Sequence, residues 1–449
     1  MMEIASRELF GNLLLTSFAL RKNFNVYIGD TKTYKTLLEK NLINPGIIHT
    51  KSITHGKKKS ILHDLLLKKK FIITSQDQEH GVLDNLNYKK FFLKSRVDSL
   101  ELKKVDAIFC WGQYDYKNLR EYYKKYKNKF YLTGSPRADI WKKKIYTGKH
   151  NDDEKKPYIL VCTNFSFSNN RLNFNELIRN KKKAGYYRRS PELLKKDKEF
   201  YSYQRKLIYK FVNLINHLTK KYENLNFFLR PHPTENINFW INNLVIRKNL
   251  KIKNYNTSSY WIQNCDLLIQ SGCTTGAEGV INGKPVINYC PIKSKTGFGE
   301  FIGQVTYNVN NNQKIFSILN KLNFNKLKNS SNNKKLNKRI LFLDKKLSSE
   351  KISNLWFFLS RKIKFGENKL NTISFFLFVN EIFSNLITNI ILILKGKYEK
   401  ISEISNFKFP NYEKYFIYEN INSLSHISKN KKKIFIKKLG KRFWYFETK

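Results

Sequence analysis

The chain runs to 449 residues, 41% hydrophobic and 27% charged, which sets it among globular proteins of two or three domains and excludes a disordered chain. Lys and Arg number 84 against 35 Asp and Glu, a formal charge of +49. That field draws anions: nucleotide-activated donors, acidic glycans, anionic lipid or nucleic acid. Enrichment in Lys, Asn, Ile, Phe and Tyr runs through the whole sequence, so part of the charge is compositional bias.

Five cysteines (Cys110, Cys162, Cys265, Cys273 and Cys290) form no CxxC pair, which argues against a disulfide framework or a zinc site and fits a reducing compartment. Met1 to Glu8 carries charge where a signal peptide needs an apolar core, so a cytoplasmic protein is expected. The most apolar long segment, 373–394, contains Asn380, Glu381, Asn385 and Asn389. A membrane-surface or core helix is expected there rather than a span.

In chain order, helical spacing of Leu9, Leu13, Leu14 and Phe18 predicts a helix over 8–21. Strands are predicted at 25–28, 70–74, 107–110 and 130–132, each ending in a loop. Strands alternating with helices imply βαβ units and a parallel sheet. The polar stretch 141–156 reads as a linker. A second α/β pattern follows: strands at 158–162, 226–229, 250–252, 266–269 and 285–288, with helices at 200–222, 258–264 (Ser258 as cap) and 274–282. Residues 323–338, rich in Lys, Asn and Ser, read as a linker, and the rest is helical and aromatic, then basic. The expected domains are 1–148, 149–322 and a mainly helical extension, 323–449.

Three constellations carry chemistry. The run Leu267 to Gly279 delivers a buried strand to a Ser271-Gly272-Cys273-Thr274-Thr275 loop that opens a helix containing Glu278. Unpaired amides and the helix dipole make such a start an anion site, unless the hydroxyls merely cap the helix. Arg230-Pro231-His232-Pro233 lies at another strand end, where two prolines stiffen the loop around His232. Arg230 and a protonated His232 can both bind phosphate or carboxylate. In the first domain, Asp77, Glu79 and His80 at a strand end can supply a general base, or simply begin a helix. Asn164, after the first strand of the second domain, and Gly134, Ser135 and Arg137 stand at further cleft-side positions. Lys181–Lys183 with Arg188 and Arg189 read as a solvated or acceptor-side face. The patterns GxxxxGK[ST], DxD and GxGxxG are absent, which argues against a nucleotide triphosphatase, a metal-dependent single-domain sugar transferase and a dinucleotide enzyme.

The order of motifs resembles the bacterial surface carbohydrate biosynthesis protein family. It runs Glu3-Ile4-Ala5-Ser6-Arg7-Glu8, Ile28-Gly29-Asp30, Asp77-Gln78-Glu79-His80-Gly81, Cys110-Trp111-Gly112, Gly134-Ser135-Pro136-Arg137-Ala138-Asp139, Thr163-Asn164-Phe165, Arg230 to Asn236, and Ser271 to Thr275. That family is similar to the GT-B-fold capsule enzymes, the bacterial sialyl- and Kdo-transferases and the polyglycerolphosphate transferases. The resemblance implies an α/β, GT-B-like fold of two facing Rossmann-like domains. It implies that His232 and Pro233 match a His-Pro motif contacting donor phosphate, and that Ser271, Thr274 and Thr275 match a phosphate-contacting loop. It implies that Asp77, Glu79 and Gly81 match an acidic loop holding the base, here interrupted by Gln78 and His80.

The expectation is a metal-independent, inverting glycosyltransferase of surface carbohydrate synthesis. It needs no cofactor, and it takes a nucleotide-sugar or nucleotide-polyol donor, with a cytidine-linked one favoured, and a glycan or glycolipid acceptor. The alternatives are a glycerophosphotransferase-like enzyme or a non-catalytic nucleotide- or glycan-binding protein on the same fold. Nucleic acid is not an expected partner. Aromatic and basic residues in 356–394 and 429–446 suggest attachment to an anionic inner membrane leaflet, or helices packing on the domains.

Overall fold

The computed structural model describes residues 1–54, 56–79, 81–83, 88–93, 96–142, 145, 156–183, 187, 192–253, 255–294, 299–321, 332–341, 346–363, 366, 369–394 and 409–449. They form two compact units. The first holds Met1–Gln78, Val97–Ile140 and Leu341–Lys449, the second Glu79–Arg96 and Trp141–Ile340.

The first unit opens with helix α1 (Ala5–Arg21), whose Leu9, Leu13, Leu14 and Phe18 are all buried. Strand β1 (Val26–Gly29) follows, then β2 (Ile47–Thr50), β3 (Ile72–Ser75), β4 (Ala107–Cys110) and β5 (Phe130–Leu132). Strands β2-β3-β4-β5 make a parallel sheet in that order. β3 and β4 are buried on both faces, which is why they read as unbroken runs rather than alternating ones.

The second unit contains β6 (Tyr158–Cys162), α2 (Glu192–Lys221), β7 (Asn226–Arg230), β8 (Leu250–Ile252), α3 (Ser258–Ile262), β9 (Leu267–Gln270), α4 (Thr274–Ile281), β10 (Val286–Tyr289) and β11 (Tyr307–Val309). Its six strands are parallel, in the order β11-β10-β9-β6-β7-β8. The chain winds from β6 out to β8, crosses back to β9 and winds out the other way. The switch point therefore lies between β6 and β9, where ligands of such sheets bind at the carboxyl ends. Leu207, Phe211, Leu214 and Leu218 form the buried stripe of α2 and share one core with β6, β7, β9 and β10.

The chain then rejoins the first unit with α5 (Ser348–Ser360), α6 (Leu370–Leu394), α7 (Lys414–Ser428) and the hairpin β12 (Ile434–Gly440)–β13 (Phe443–Thr448).

The α/β class with two parallel sheets is as expected, and several local expectations need correction. β1 is not in the parallel sheet: it pairs antiparallel with β13, Val26 opposite Phe446 and Gly29 opposite Phe443. The C-terminal extension is helical as expected, in α5, α6 and α7, but Leu341–Lys449 belongs to the first unit and ends in that hairpin. Its Ile352 and Leu359 share a core with Leu15, Ile72, Ala107 and Phe109. Of the expected linker 141–156, Trp141, Lys142 and Ile145 are buried, and the Trp141 carbonyl accepts from Asn282 Nδ2 at 3.1 Å. Residues 143–144 and 146–155 lie outside the described residues. In the second expected linker, Asn332–Arg339 is helical, with Leu336 and Arg339 buried. The helix at 258 is capped by Thr257, whose hydroxyl accepts from the Tyr260 amide, and not by Ser258.

Candidate functional site

At the carboxyl ends of the second unit's strands, the loop after β9 is held from beneath by buried amides. Asn288 Oδ1 on β10 accepts from the Gly272 amide at 2.8 Å, and Gln270 Oε1 accepts from the Cys273 amide at 2.8 Å. Those two loop amides are therefore spent within the protein. Gly272 takes φ +57°, and a Cβ on Gly299 would sit 2.9 Å from the Gly272 Cα, so the close approach of two backbones requires glycine. Helix α4 starts at Thr274 with Cys273 as N-cap and no side-chain cap bond. Capping is thus not what the hydroxyls do. The first-turn amides of Thr274 and Thr275 have no carbonyl within the helix, so the positive end of its dipole faces outward. Thr275 Oγ1 is buried without a hydrogen-bond partner.

The loop after β7 carries Arg230 and His232. Arg230 is buried, donates from Nη2 to the Asn256 carbonyl at 2.7 Å, and leaves Nε buried without a partner. Burial pushes its guanidinium down from the ordinary range, and the nearby Glu278 opposes that shift. Glu278, expected as a donor contact, is itself buried and accepts from the hydroxyls of Ser258 (2.9 Å) and Ser259, fastening α3 to α4. The Thr234 amide points at His232 Nδ1 at 3.3 Å. An N–H can only donate, so Nδ1 accepts and a neutral ring carries its proton on Nε2.

The residue that organises this end of the sheet is Glu235. Its buried carboxylate accepts from the Thr163 hydroxyl (2.9 Å), the Phe165 amide (2.9 Å), the His232 amide (2.9 Å) and Trp240 Nε1 (2.9 Å). It clamps the loop after β6 to the loop after β7. Burial raises its pKa and those donors work against the rise, with a net position above the ordinary value. Asn164 lies between its clamped neighbours, and its carbonyl accepts from Gln204 Nε2 at 2.5 Å. Gln204 Oε1 in turn accepts from the Phe167 amide at 3.0 Å. Ser271 meets Tyr203 of α2 and lies 3.9 Å from Cys290 Sγ. The structure therefore brings Asn164, Arg230, His232, Ser271, Gly272, Thr274 and Thr275 to one end of one sheet.

In the first unit, the loops after β3, β4 and β5 are also tied together. Gln76 Nε2 donates to the Gly134 carbonyl at 2.7 Å, Trp111 Nε1 to the Asp77 carbonyl at 2.7 Å, and Arg137 Nη1 to the Gln78 carbonyl at 2.6 Å. Gly134 has φ +79°, and a Cβ there would lie 2.1 Å from Ser348 Oγ. Asp139 accepts from the amides of Ser348 and Ser349 at the start of α5. The Gly134–Asp139 segment, with Ser135 fully buried, thus works as a joint to α5. Asp77 is buried in this unit, whereas Glu79 belongs to the second unit and pairs with Arg96 at 3.1 Å. His80 lies outside the described residues, as do Arg188 and Arg189. Lys181 is held by Asp197 at 2.7 Å. A cavity of about 440 Å³ in this unit is bordered by Leu15, Tyr27, His49, Phe71 and Trp356. Asp77, Gly134, Ser135 and Arg137 do not line it. Its lining includes Val26 and Ile28 of β1 and Ile47 and Ile48 of β2.

Among the described residues no group of three His, Cys, Asp or Glu side chains is placed to hold a metal ion. No family model matches the chain, and no curated protein does. Solved structures similar to it include the Methanocaldococcus jannaschii UDP-GlcNAc 2-epimerase in complex with UDP-GlcNAc and UDP. That match has 14% identity, covers 79% of this chain and 82% of that one, and has a TM-score of 0.43. The Neisseria meningitidis UDP-GlcNAc 2-epimerase bound to UDP-GlcNAc matches at 12% identity over 74% and 79%, TM-score 0.40. The wall teichoic acid polymerase TagF with CDPG matches at 14% over 70% and 72%, TM-score 0.41.

Sequence reasoning missed Glu235 as the clamp, and missed Gln204, Gln270 and Asn288 as the supports. One signal was available for each of the last three: a polar amide in an otherwise apolar stripe or strand. Gln204 precedes Leu207, Ile208 and Phe211 at helical spacing, and Gln270 and Asn288 sit in fully buried strands.

Proposed function

We propose that the chain is a transferase of surface carbohydrate synthesis on a GT-B-like plan, metal-independent and inverting, with the second unit binding a nucleotide-activated donor. The observation that carries this reading is the start of α4. An uncapped helix N-terminus lies at the sheet's switch point, with an unpartnered buried hydroxyl on Thr275 and the Arg230 guanidinium on the neighbouring loop. The motif order favours a cytidine-linked donor.

In the proposed reaction an acceptor hydroxyl oxygen bonds to the donor's anomeric carbon as the bond from that carbon to the phosphate oxygen breaks. The hydroxyl proton goes to a carboxylate base. Asp77 and Glu79 of the acidic motif are the candidates. The negative charge on the departing nucleotide phosphate is met by the Thr274 and Thr275 amides and by His232 Nε2–H. His232→Ala should abolish transfer to a glycan acceptor while leaving the melting temperature unchanged; near-normal turnover would sink the assignment.

A second reading, a non-catalytic nucleotide-binding protein, is favoured by one observation. The acidic motif is divided between the two units, and one of its carboxylates is neutralised. Nucleotide binding without product, across cytidine- and uridine-linked donors, would establish it.

A further inference from the structure

Among the described residues, helix α6 (Leu370–Leu394) is held to the first unit by one face. Ile373 and Leu377 are buried, Glu381 accepts from the Lys441 amide at 2.8 Å, and Gly440 of β12 packs on Leu377 and Glu381. At 100° per residue these positions share one side of the helix. Phe375, Phe378, Ile382, Phe383, Leu386, Ile387, Ile390 and Ile393 fall on the opposite side, spread over roughly half the circumference. All of them are exposed, Phe375 at 71%, Phe383 at 62% and Ile393 at 63%. Glu381 is the only charged residue between Leu370 and Leu394, and it sits on the docked face. A continuous apolar stripe of this length on a soluble surface is a contact surface in want of a partner.

We infer that this face of α6 seats on an anionic membrane surface, lying in the plane of the interface. No helix among the described residues is long and apolar enough to cross a membrane. Cations border the first half of the helix: Lys369 precedes it, Lys437 reaches Asn371 at its first turn, and Lys441 stands exposed beside Glu381. Such an arrangement, an apolar face with a basic rim, matches the headgroup and acyl boundary of an anionic leaflet. Charge also decides against the other occupant, a second copy of the chain, because each copy carries +49. The inference narrows the membrane-facing region expected from sequence. Trp356 faces inward, with Nε1 donating to Thr74 Oγ1 at 3.2 Å, and Phe443–Phe446 are buried in the hairpin. Those residues are not available to lipid. The inference is independent of the donor site.

The test is flotation of the full chain with phosphatidylcholine vesicles, with and without phosphatidylglycerol. The protein should float with the anionic vesicles and lose at least about tenfold in partition without the anionic lipid. The triple variant Phe378→Ser, Phe383→Ser, Leu386→Ser changes only exposed side chains and no charge, and should lose about a hundredfold or more. An Ile387→Cys variant bearing an environment-sensitive fluorophore should shift to the blue on vesicle addition, which reads the same face without removing it. A parent that stays in the aqueous fraction, a triple variant that floats equally well, or no blue shift would overturn the inference. So would a dimer of the parent that the three substitutions dissociate.

Discussion

Thr275→Val separates stability from function with opposite signs. Valine is nearly isosteric with threonine, so the packing around the first turn of α4 is kept. Thr275 Oγ1 is buried and has no partner. A buried polar atom left unsatisfied costs about 1–3 kcal/mol relative to an apolar group of the same shape. The free protein should therefore gain about 1 kcal/mol or more, a rise of about 2–4 °C in melting temperature for a domain of this size. If the hydroxyl is held in readiness for a phosphate oxygen, the same change removes a hydrogen bond to a charged group, worth about 1.5–3 kcal/mol. Affinity for a nucleoside diphosphate should then fall roughly tenfold to a hundredfold. Calorimetric titration and thermal melts on one preparation read both quantities. A variant that is less stable and binds as well as the parent would refute the reasoning, because the hydroxyl would then serve the fold and not the ligand.

Glu235→Gln places an amide nitrogen among groups that are all donors, the Thr163 hydroxyl, two backbone amides and the Trp240 indole. It should destabilise by about 2 kcal/mol or more and weaken nucleotide binding together; unchanged melting would show that the clamp is not needed. Burial holds the His49 imidazole down at about 3, below its ordinary 6.5. A depressed pKa means the unfolded chain takes up the proton first, so stability should fall by about 1.4 kcal/mol per pH unit below about 6.5. His49→Gln should remove that slope between pH 6 and 5 in thermal melts, and an identical slope would contradict the assignment. Gly134→Ala should cost about 2 kcal/mol or more, from a left-handed φ and a Cβ driven into Ser348, yet leave nucleotide affinity in the second unit untouched. A loss of affinity there would overturn its reading as a structural joint.

Much of the second unit was legible because parallel strands buried on both faces read as short unbroken apolar runs. β6 and β8 match their expected bounds residue for residue, and β7, β9 and β10 differ by a residue at one or both ends. The first unit was harder to read. β1 has the look of a parallel strand, but its partner β13 lies more than 400 residues away in the chain, and no local pattern encodes such a pairing. The alternation of Ile434, Phe435 and Ile436, buried, exposed and buried, was present in the sequence, though lysines on both sides made it read as a basic tail. The loop after β9 could be located from its Ser, Gly and Thr residues. Which amides remain for a ligand could not, because that depends on Gln270 and Asn288 reaching into the loop from strands. Likewise the acidic motif was visible as a run, and its division between two units was not.

The central claim is that the strand ends of β6, β7 and β9 form a nucleotide-phosphate site. Isothermal titration of cytidine diphosphate into the intact protein and into His232→Ala tests it most directly. The account predicts saturable one-to-one binding by the parent and at least about tenfold weaker binding by the variant, the loss of one charge-assisted hydrogen bond. No binding of cytidine or uridine nucleotides by the parent, or equal affinity in the two proteins, would contradict it.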